Sequence, residues 1–259
     1  MRWTVMTFNL RVNVDSDGRN AWPYRPAAVA AAIRQHDPDM VCIQEGLYSM
    51  LRDLEPLLEE YGWIGEGRRG GRDDEHCAIF CKKGKWKVVE QGSFGLSETP
   101  ERLGVLGWKA DYPRMCTWAR LRSLKEEAFE LAVFNTHLDH ISEEAQANGM
   151  ELVKSRIGAM REKTGLPVVL TGDFNVTPKH SVVRGLGTDG YRNCYSALGA
   201  GTAEIGRTFH DFAGGTEGEP IDYIFVTSDV HVERIAIDRN KYEGRYPSDH
   251  YPVVAVLRR

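Results

Sequence analysis

The chain has 259 residues, 42% hydrophobic and 27% charged, with a formal net charge of −4 and a sequence pI of about 6.1. That is ordinary globular usage, long enough for a sizeable core, and it excludes disordered and fibrous classes. The acidic balance disfavours wholesale clamping of nucleic acid, although a net charge averages over any local basic groove.

In chain order, RWTVMTFN is rich in β-branched and aromatic residues and predicts a first strand ending at Asn9. The alanine-rich stretch that follows predicts a helix with Pro26 in its first turn and Asp37-Pro38 as its stop. DMVCIQE predicts a buried strand ending at Glu45, and the leucines at 47, 51, 54, 57 and 58 predict a helix over 47–62, broken or kinked at Pro56. GEGRRGGRDDEH, residues 65–76, reads as a glycine-rich charged loop. Strands are expected at CAIFCKK, WKVVEQGSF, MCTWARLRS and FELAVFNTHL, then a long amphipathic helix over 142–165 whose N-terminus suits Ser142. PVVLTGD, IDYIFVT, VHVERIAID and YPVVAVLR complete the strands. No repeat, low-complexity tract or linker interrupts the chain, and the intermixed order predicts one α/β domain over residues 1–259 with largely antiparallel sheet.

Two compartment signals agree. MRWTVMTFNL lacks the apolar run of a signal peptide, and no stretch approaches the ~18–20 apolar residues of a membrane span, so no membrane contact is expected. The cysteines, at 42, 77, 81, 116 and 194, are odd in number and form no C-x-x-C. They read as small buried hydrophobes in a reducing, cytoplasmic setting; zinc at Cys77, Cys81 and His76 is disfavoured because no second ligand pair follows.

Several apolar strands end in polar chemistry: Asn9, Glu45, His137, Asp173 with Asn175, Asp222, and Asp249-His250. In LPVVLTGDFN, Asp173 and Asn175 are two residues apart, a spacing that turns both to one side of an extended chain. Asp, Glu and Asn oxygens suit a hard divalent cation such as Mg²⁺, which needs only one or two protein carboxylates. His with Asp adds what phosphoester hydrolysis still requires, a base or aligning group for water and a donor for the phosphoryl oxygens. Any one of these residues alone reads as a turn former or a hydrogen-bonded structural group; the argument lies in the set. No G-x-S-x-G or Walker loop is present.

TFNLR, VCIQE, NTHLDH, TGDFN, IDYIFV and YPSDHYPV, in this order, resemble the endonuclease/exonuclease/phosphatase superfamily across residues 7–254, and LSETPERLGVLGWKADYPRMCTWARL resembles a branch of bacterial metal-dependent hydrolases. The resemblance implies a four-layered α/β sandwich, two mostly antiparallel sheets face to face with helices outside, and a site at one end. It implies Asn9, Glu45 and Asp249 as metal ligands or their partners, with Mg²⁺ in one main position and Mn²⁺ as a possible substitute. Asp173 and Asn175 would position or deprotonate the attacking water. His250, oriented by Asp222, and His137 would stabilise the phosphoryl group. Glu75 is placed beside His137 as an orienting or substrate-contacting carboxylate, and His140 as a pocket-lining residue. Arg11 stands where apurinic-type endonucleases carry an acid, which removes a second metal ligand.

Substrate selection is less legible. Arg114 is left open between a phosphate grip and a surface arginine. Trp22, Tyr24 and Arg25 read as packing for the following helix, with stacking on a base or sugar as the alternative. Arg68, Arg69 and Arg72 read as a solvated loop, with contact to a polyanion as the alternative. The expected function is hydrolysis of a phosphomonoester or phosphodiester of unassigned class. A nuclease on DNA or RNA is the alternative, nucleic acid thus being a possible partner. A non-catalytic scaffold is a third reading. No protein partner can be inferred.

Overall fold

The computed structural model describes residues 1–126, 128–199 and 205–259. The strands are β1 (Arg2–Asn9), β2 (Met40–Gln44), β3 (Tyr61–Ile64), β4 (Ile79–Lys82), β5 (Trp86–Gly95), β6 (Met115–Ser123), β7 (Glu130–His137), β8 (Val168–Asp173), β9 (Tyr191–Asn193), β10 (Asp222–Thr227), β11 (His231–Ile237) and β12 (Val253–Arg258). The helices are α1 (Pro26–His36), α2 (Tyr48–Leu54), α3 (Glu143–Thr164) and α4 (Ser181–Thr188). The strands make two six-stranded sheets, ordered β11-β12-β1-β2-β4-β3 and β5-β6-β7-β8-β10-β9. Each sheet is antiparallel except at its centre, where β1 runs parallel to β2 and β7 parallel to β8.

Strand alternation sets the layers. On β1, Trp3 and Val5 belong to the core shared with Phe134, Leu170 and Phe225 of the second sheet. Met6 and Phe8 point the other way and pack with Val29 and Ile33 of α1 and Leu51 and Leu54 of α2. Met150, Val153 and Ile157 of α3 and Leu186 of α4 cover the second sheet. The result is a four-layered α/β sandwich with helices outside two face-to-face sheets, as the family resemblance implies.

Local chemistry explains most helix ends. Pro26 opens α1 and Asp37, in the left-handed region at φ 46°, closes it. Ser142 caps α3 by accepting from the Ala145 amide at 3.1 Å, and Gly165 ends it at φ 66°. The helix expected over 47–62 is a correction. Helix α2 stops at Leu54, a short 3₁₀ turn spans Glu55–Leu57, and Tyr61–Ile64 joins the first sheet beside β4. Pro56 cannot donate to a helix, and pairing with β4 satisfies the backbone that follows. The sequence reading also missed α4 and β9; Gly185 and Gly187 dilute the helical signal in the first, and the second is only three residues long.

All five cysteines are free and buried. Burial pushes the Cys77 thiol up to about 12. No helix among the described residues is long and apolar enough to cross a membrane.

Candidate active site

The site forms where the two parallel strand pairs end. In the second sheet, His137 of β7, Asp173 of β8 and Asp222 of β10 are direct register partners, so their side chains stand in a row. In the first sheet, Asn9 ends β1 beside Gln44 of β2, and Glu45 follows at once. The segment leading into β12 brings Asp249 and His250 to the same place, because β12 runs antiparallel to β1 with Val253 opposite Thr7. Ser248 fixes that segment: its hydroxyl donates to the Asn9 carbonyl at 2.7 Å, and Asp249 Oδ1 lies 3.1 Å from the same oxygen. Beneath the site, buried Gln44 donates to Asn135 Oδ1 at 2.7 Å, and Asn135 donates back to the Ile43 carbonyl at 2.8 Å. This polar bridge holds the two sheets at a set separation.

Close backbone approach is part of the design. At Gly172 a Cβ would lie 2.1 Å from the Thr136 carbonyl oxygen, so no larger residue fits between β7 and β8 there. Glu45 and Asn175 leave their strands in the left-handed region, at φ 60° and φ 53°. Such conformations in non-glycine residues cost on the order of 1–3 kcal/mol and gather at functional sites.

The carboxylates are tied by amides. Asn9 Nδ2 donates to Glu45 Oε1 at 2.9 Å and to Asp173 Oδ2 at 3.0 Å, while its Oδ1 accepts from the Arg11 amide. Asn9 is therefore a bridge between two acids rather than a residue that turns its oxygen to the cavity. Glu45 Oε2 accepts from the Val12 amide at 2.7 Å. Asp173 Oδ1 accepts from the Asn175 amide at 2.9 Å. Burial, then the Asp222 charge, pushes Asp173 up to about 7. Burial also raises Asp249, and the nearby Glu45 charge adds to it.

Two imidazoles flank Asp173. His137 Nε2 lies 3.6 Å and His250 Nε2 3.7 Å from Asp173 Oδ2, both too long for direct hydrogen bonds. His250 Nδ1 donates to Asp222 Oδ2 at 2.9 Å. Burial alone would lower His250; the charges of Asp222 and Asp173 outweigh it and hold the ring well above its ordinary value. His137 behaves oppositely: burial, then the Arg114 guanidinium, hold it well below, so it is neutral. Its Nε2 accepts from Asn175 Nδ2 at 3.0 Å, and the same amide donates to the Leu138 carbonyl at 3.0 Å.

A hard cation fits this donor set. Glu45, Asp173 and Asp249 line one cavity of about 370 Å³, and carboxylate oxygens are the donors a hard dication takes. Among the described residues, Asp173, Asp222 and His250 also hold donor atoms within 4.8 Å of one another. That second grouping differs from the one the sequence suggests. Its imidazole is already committed to Asp222 through Nδ1 and carries a proton, which suits phosphoryl contact better than metal ligation.

Of the remaining expected residues, Arg114 is buried and lines the cavity rather than the surface. Its Nη2 lies 3.0 Å from His140 Nδ1, and its Nε 3.5 Å from Asp139. Glu75 lines the cavity but pairs with Arg68 Nη2 at 2.9 Å, so its expected role of orienting His137 is corrected. Burial, then the Glu45 charge, pushes Glu75 up to about 7. Arg68 is also a correction: it is buried in the cavity wall, not solvated, because loop 65–76 folds back and ion-pairs it with Asp74 and Glu75. Arg69 and Arg72 remain exposed. Arg25 is fully buried, and donates to the carbonyls of Leu10, Arg11 and Pro247, while Trp22 packs with α1; neither lines the cavity. Arg11 pairs with Asp17 at 2.9 Å and approaches Asp249 to 3.7 Å. Tyr112 and Phe209, half-exposed rings on the cavity lining, escaped the sequence reading; the only signal was their place next to Pro113-Arg114 and next to His210.

Comparison with known proteins places the chain in a family and a fold. The sequence model of the Endonuclease/Exonuclease/phosphatase family matches residues 6–250. The solved structure of a mannosyl-6-phosphatase of Bacteroides thetaiotaomicron is similar at 33% identity and a TM-score of 0.92, over 99% of this chain and 100% of that one. Carbon catabolite repressor protein 4 homolog 3 of Arabidopsis thaliana is 24% identical over 69% of this chain and 41% of its own length. Human nocturnin is 24% identical over 96% of this chain and 64% of its own length. The chain thus spans less than two thirds of either curated relative.

Proposed function

Because the chain belongs to the Endonuclease/Exonuclease/phosphatase family, we propose that it is a divalent-metal-dependent hydrolase of phosphoester bonds. The observation that carries the reading is Asp173: a buried carboxylate with a raised pKa, facing a cavity between two imidazole nitrogens at 3.6 and 3.7 Å.

Each side chain has a task in that reaction. Asp173 accepts the proton of the attacking water at Oδ2, a role suited to a carboxylate whose pKa lies near the working pH. Asn175 holds the neutral His137 ring in one orientation through Nδ2, and His137 lines the space that the phosphoryl group enters. His250 donates from Nε2 to a phosphoryl oxygen, and Asp222 keeps its ring charged and aimed by accepting from Nδ1. Glu45 and Asp249 hold the cation, with Asn9 orienting Glu45 against Asp173. The cation, Mg²⁺ in this reading with Mn²⁺ as a substitute, supplies Lewis-acid stabilisation of phosphoryl charge when bound.

The test is a panel of phosphoesters assayed with Mg²⁺, Mn²⁺ and EDTA, with sugar 6-phosphates first because of the likeness to the mannosyl-6-phosphatase, and oligonucleotides included. Metal-dependent turnover that falls ~10²–10³-fold in Asp173→Asn is expected. Full activity in EDTA, or in the purified variant, would refute the assignment.

A further inference from the structure

The cavity contains two buried guanidiniums that the hydrolytic roles above leave unused, Arg68 from loop 65–76 and Arg114 from the residue before β6. They are held over one aromatic ring: Tyr112 has Arg68 Cζ at 5.0 Å and Arg114 Cζ at 5.9 Å from its centroid. His140 stacks on the same ring at 6.0 Å and is bonded to Arg114. Anchoring uses one edge of each guanidinium. Arg68 ion-pairs through its Nε edge with Asp74 and through Nη2 with Glu75, and Arg114 is bonded through Nη2 to His140. Neither Nη1 hydrogen-bonds to any described residue, so each keeps donors free.

The number of free donors narrows what they would meet. Arg68 and Arg114 line the same cavity, and each brings a guanidinium to it. A terminal phosphate carries about −1.5 to −2 near neutrality and offers three non-bridging oxygens. A phosphodiester offers only two, so it would leave donors of the pair unused. Guanidinium forks are suited to the oxygen-rich end of a monoester.

We propose that Arg68 and Arg114, set over Tyr112, form a two-guanidinium clamp for a terminal phosphate, which makes the substrate a phosphomonoester. The proposal rests on the phosphoesterase reading, and it names the ester class and a specificity residue, Arg68.

Two measurements test it. First, calorimetric binding to the protein in EDTA compares inorganic phosphate with dimethyl phosphate. The wild type should bind phosphate at least tenfold more tightly, and Arg68→Ala and Arg114→Ala should each weaken phosphate by about 10–100-fold. Arg68→Lys, which keeps the charge without the fork, guards against misfolding and should fall between. Tyr112→Ala, an exposed change, should weaken phosphate several-fold. Second, kcat/KM with Mg²⁺ compares 4-nitrophenyl phosphate with its methyl diester. The monoester should be preferred, and in Arg68→Ala it should fall at least tenfold more than the diester. Equal losses on both esters, or a wild type that prefers the diester, would overturn the clamp. If neither ester turns over, the hydrolytic reading fails, and the binding measurement alone then upholds or overturns the clamp.

Discussion

The strand β2 carries a carboxylate just before it and another just after it, and the fold treats them in opposite ways. Asp39, before the strand, accepts from the Thr4 amide at 2.8 Å and lies 3.0 Å from Lys85 Nζ. Nearby, Lys82 pairs with Asp37. Among the described residues, Glu45, after the strand, is bonded only to amides, those of Asn9 and Val12, and shares its cavity with Glu75, Asp173 and Asp249. At one end a buried charge has an opposite charge beside it. At the other, several acids face one another, and burial raises three of them. Paired charge closes a structure; crowded like charge stores a demand for a cation and a proton that a reaction can use.

The strongest way to break this contrast is to remove the groups assigned to chemistry. Asp173→Asn or His250→Ala should lower kcat by ~10²–10³ with the fold intact, read from steady-state turnover beside a circular dichroism spectrum. Near-wild-type rates would reduce the crowded end to mere structure. Next comes Asn9→Ala, which frees Glu45 and Asp173 from their shared amide. A loss of about 10–100-fold in Mg²⁺ or Mn²⁺ affinity by direct titration is expected, and unchanged affinity would remove Asn9 from the ion's surroundings.

Stability should separate the two ends by sign. Asp39→Asn takes the partner from half-exposed Lys85 and should cost up to about 1 kcal/mol in denaturant unfolding. Asp249→Asn in EDTA removes a buried like charge and should raise Tm. Destabilisation of equal size at both ends would dissolve the distinction.

The smallest effect is a displaced pH profile. Asp173 is raised, so kcat/KM should fall as pH drops through its pKa and the base takes up a proton. His250 is raised as well, so activity should fall again as pH rises through its pKa and the donor is lost. The Asp222 charge raises both groups, so the residual activity of Asp222→Asn should follow a bell moved as a whole to lower pH. A profile that stays in place would show that Asp222 does not set the protonation of the pair.

Much of this was legible from residue order alone because its causes are local. The β-branched and aromatic make-up of β1, the Pro26 start and Asp37-Pro38 stop of α1, and the Ser142 cap of α3 depend on near neighbours in the chain. Polar residues at the ends of apolar strands announced a site, since a strand end is where a side chain can leave the core without losing the sheet. Short elements were lost for a related reason: Tyr61–Ile64 becomes a strand through pairing with β4, a contact that no local pattern states.

The sequence by itself therefore determined the layered α/β class and which strand ends carry carboxylate, carboxamide and imidazole. Tertiary structure decided which of them meet. It placed His137, Asp173 and Asp222 in one register row, turned the Asn9 amide between two acids, and gave Glu75 to Arg68 instead of His137. It also buried Arg68 and Arg114 over Tyr112. Propensity and periodicity act over a few residues, whereas charge, burial and hydrogen bonding act between groups 36 to 164 positions apart, such as Asn9 with Glu45 and Asp173. Those terms take their values only after the sheets have closed on each other.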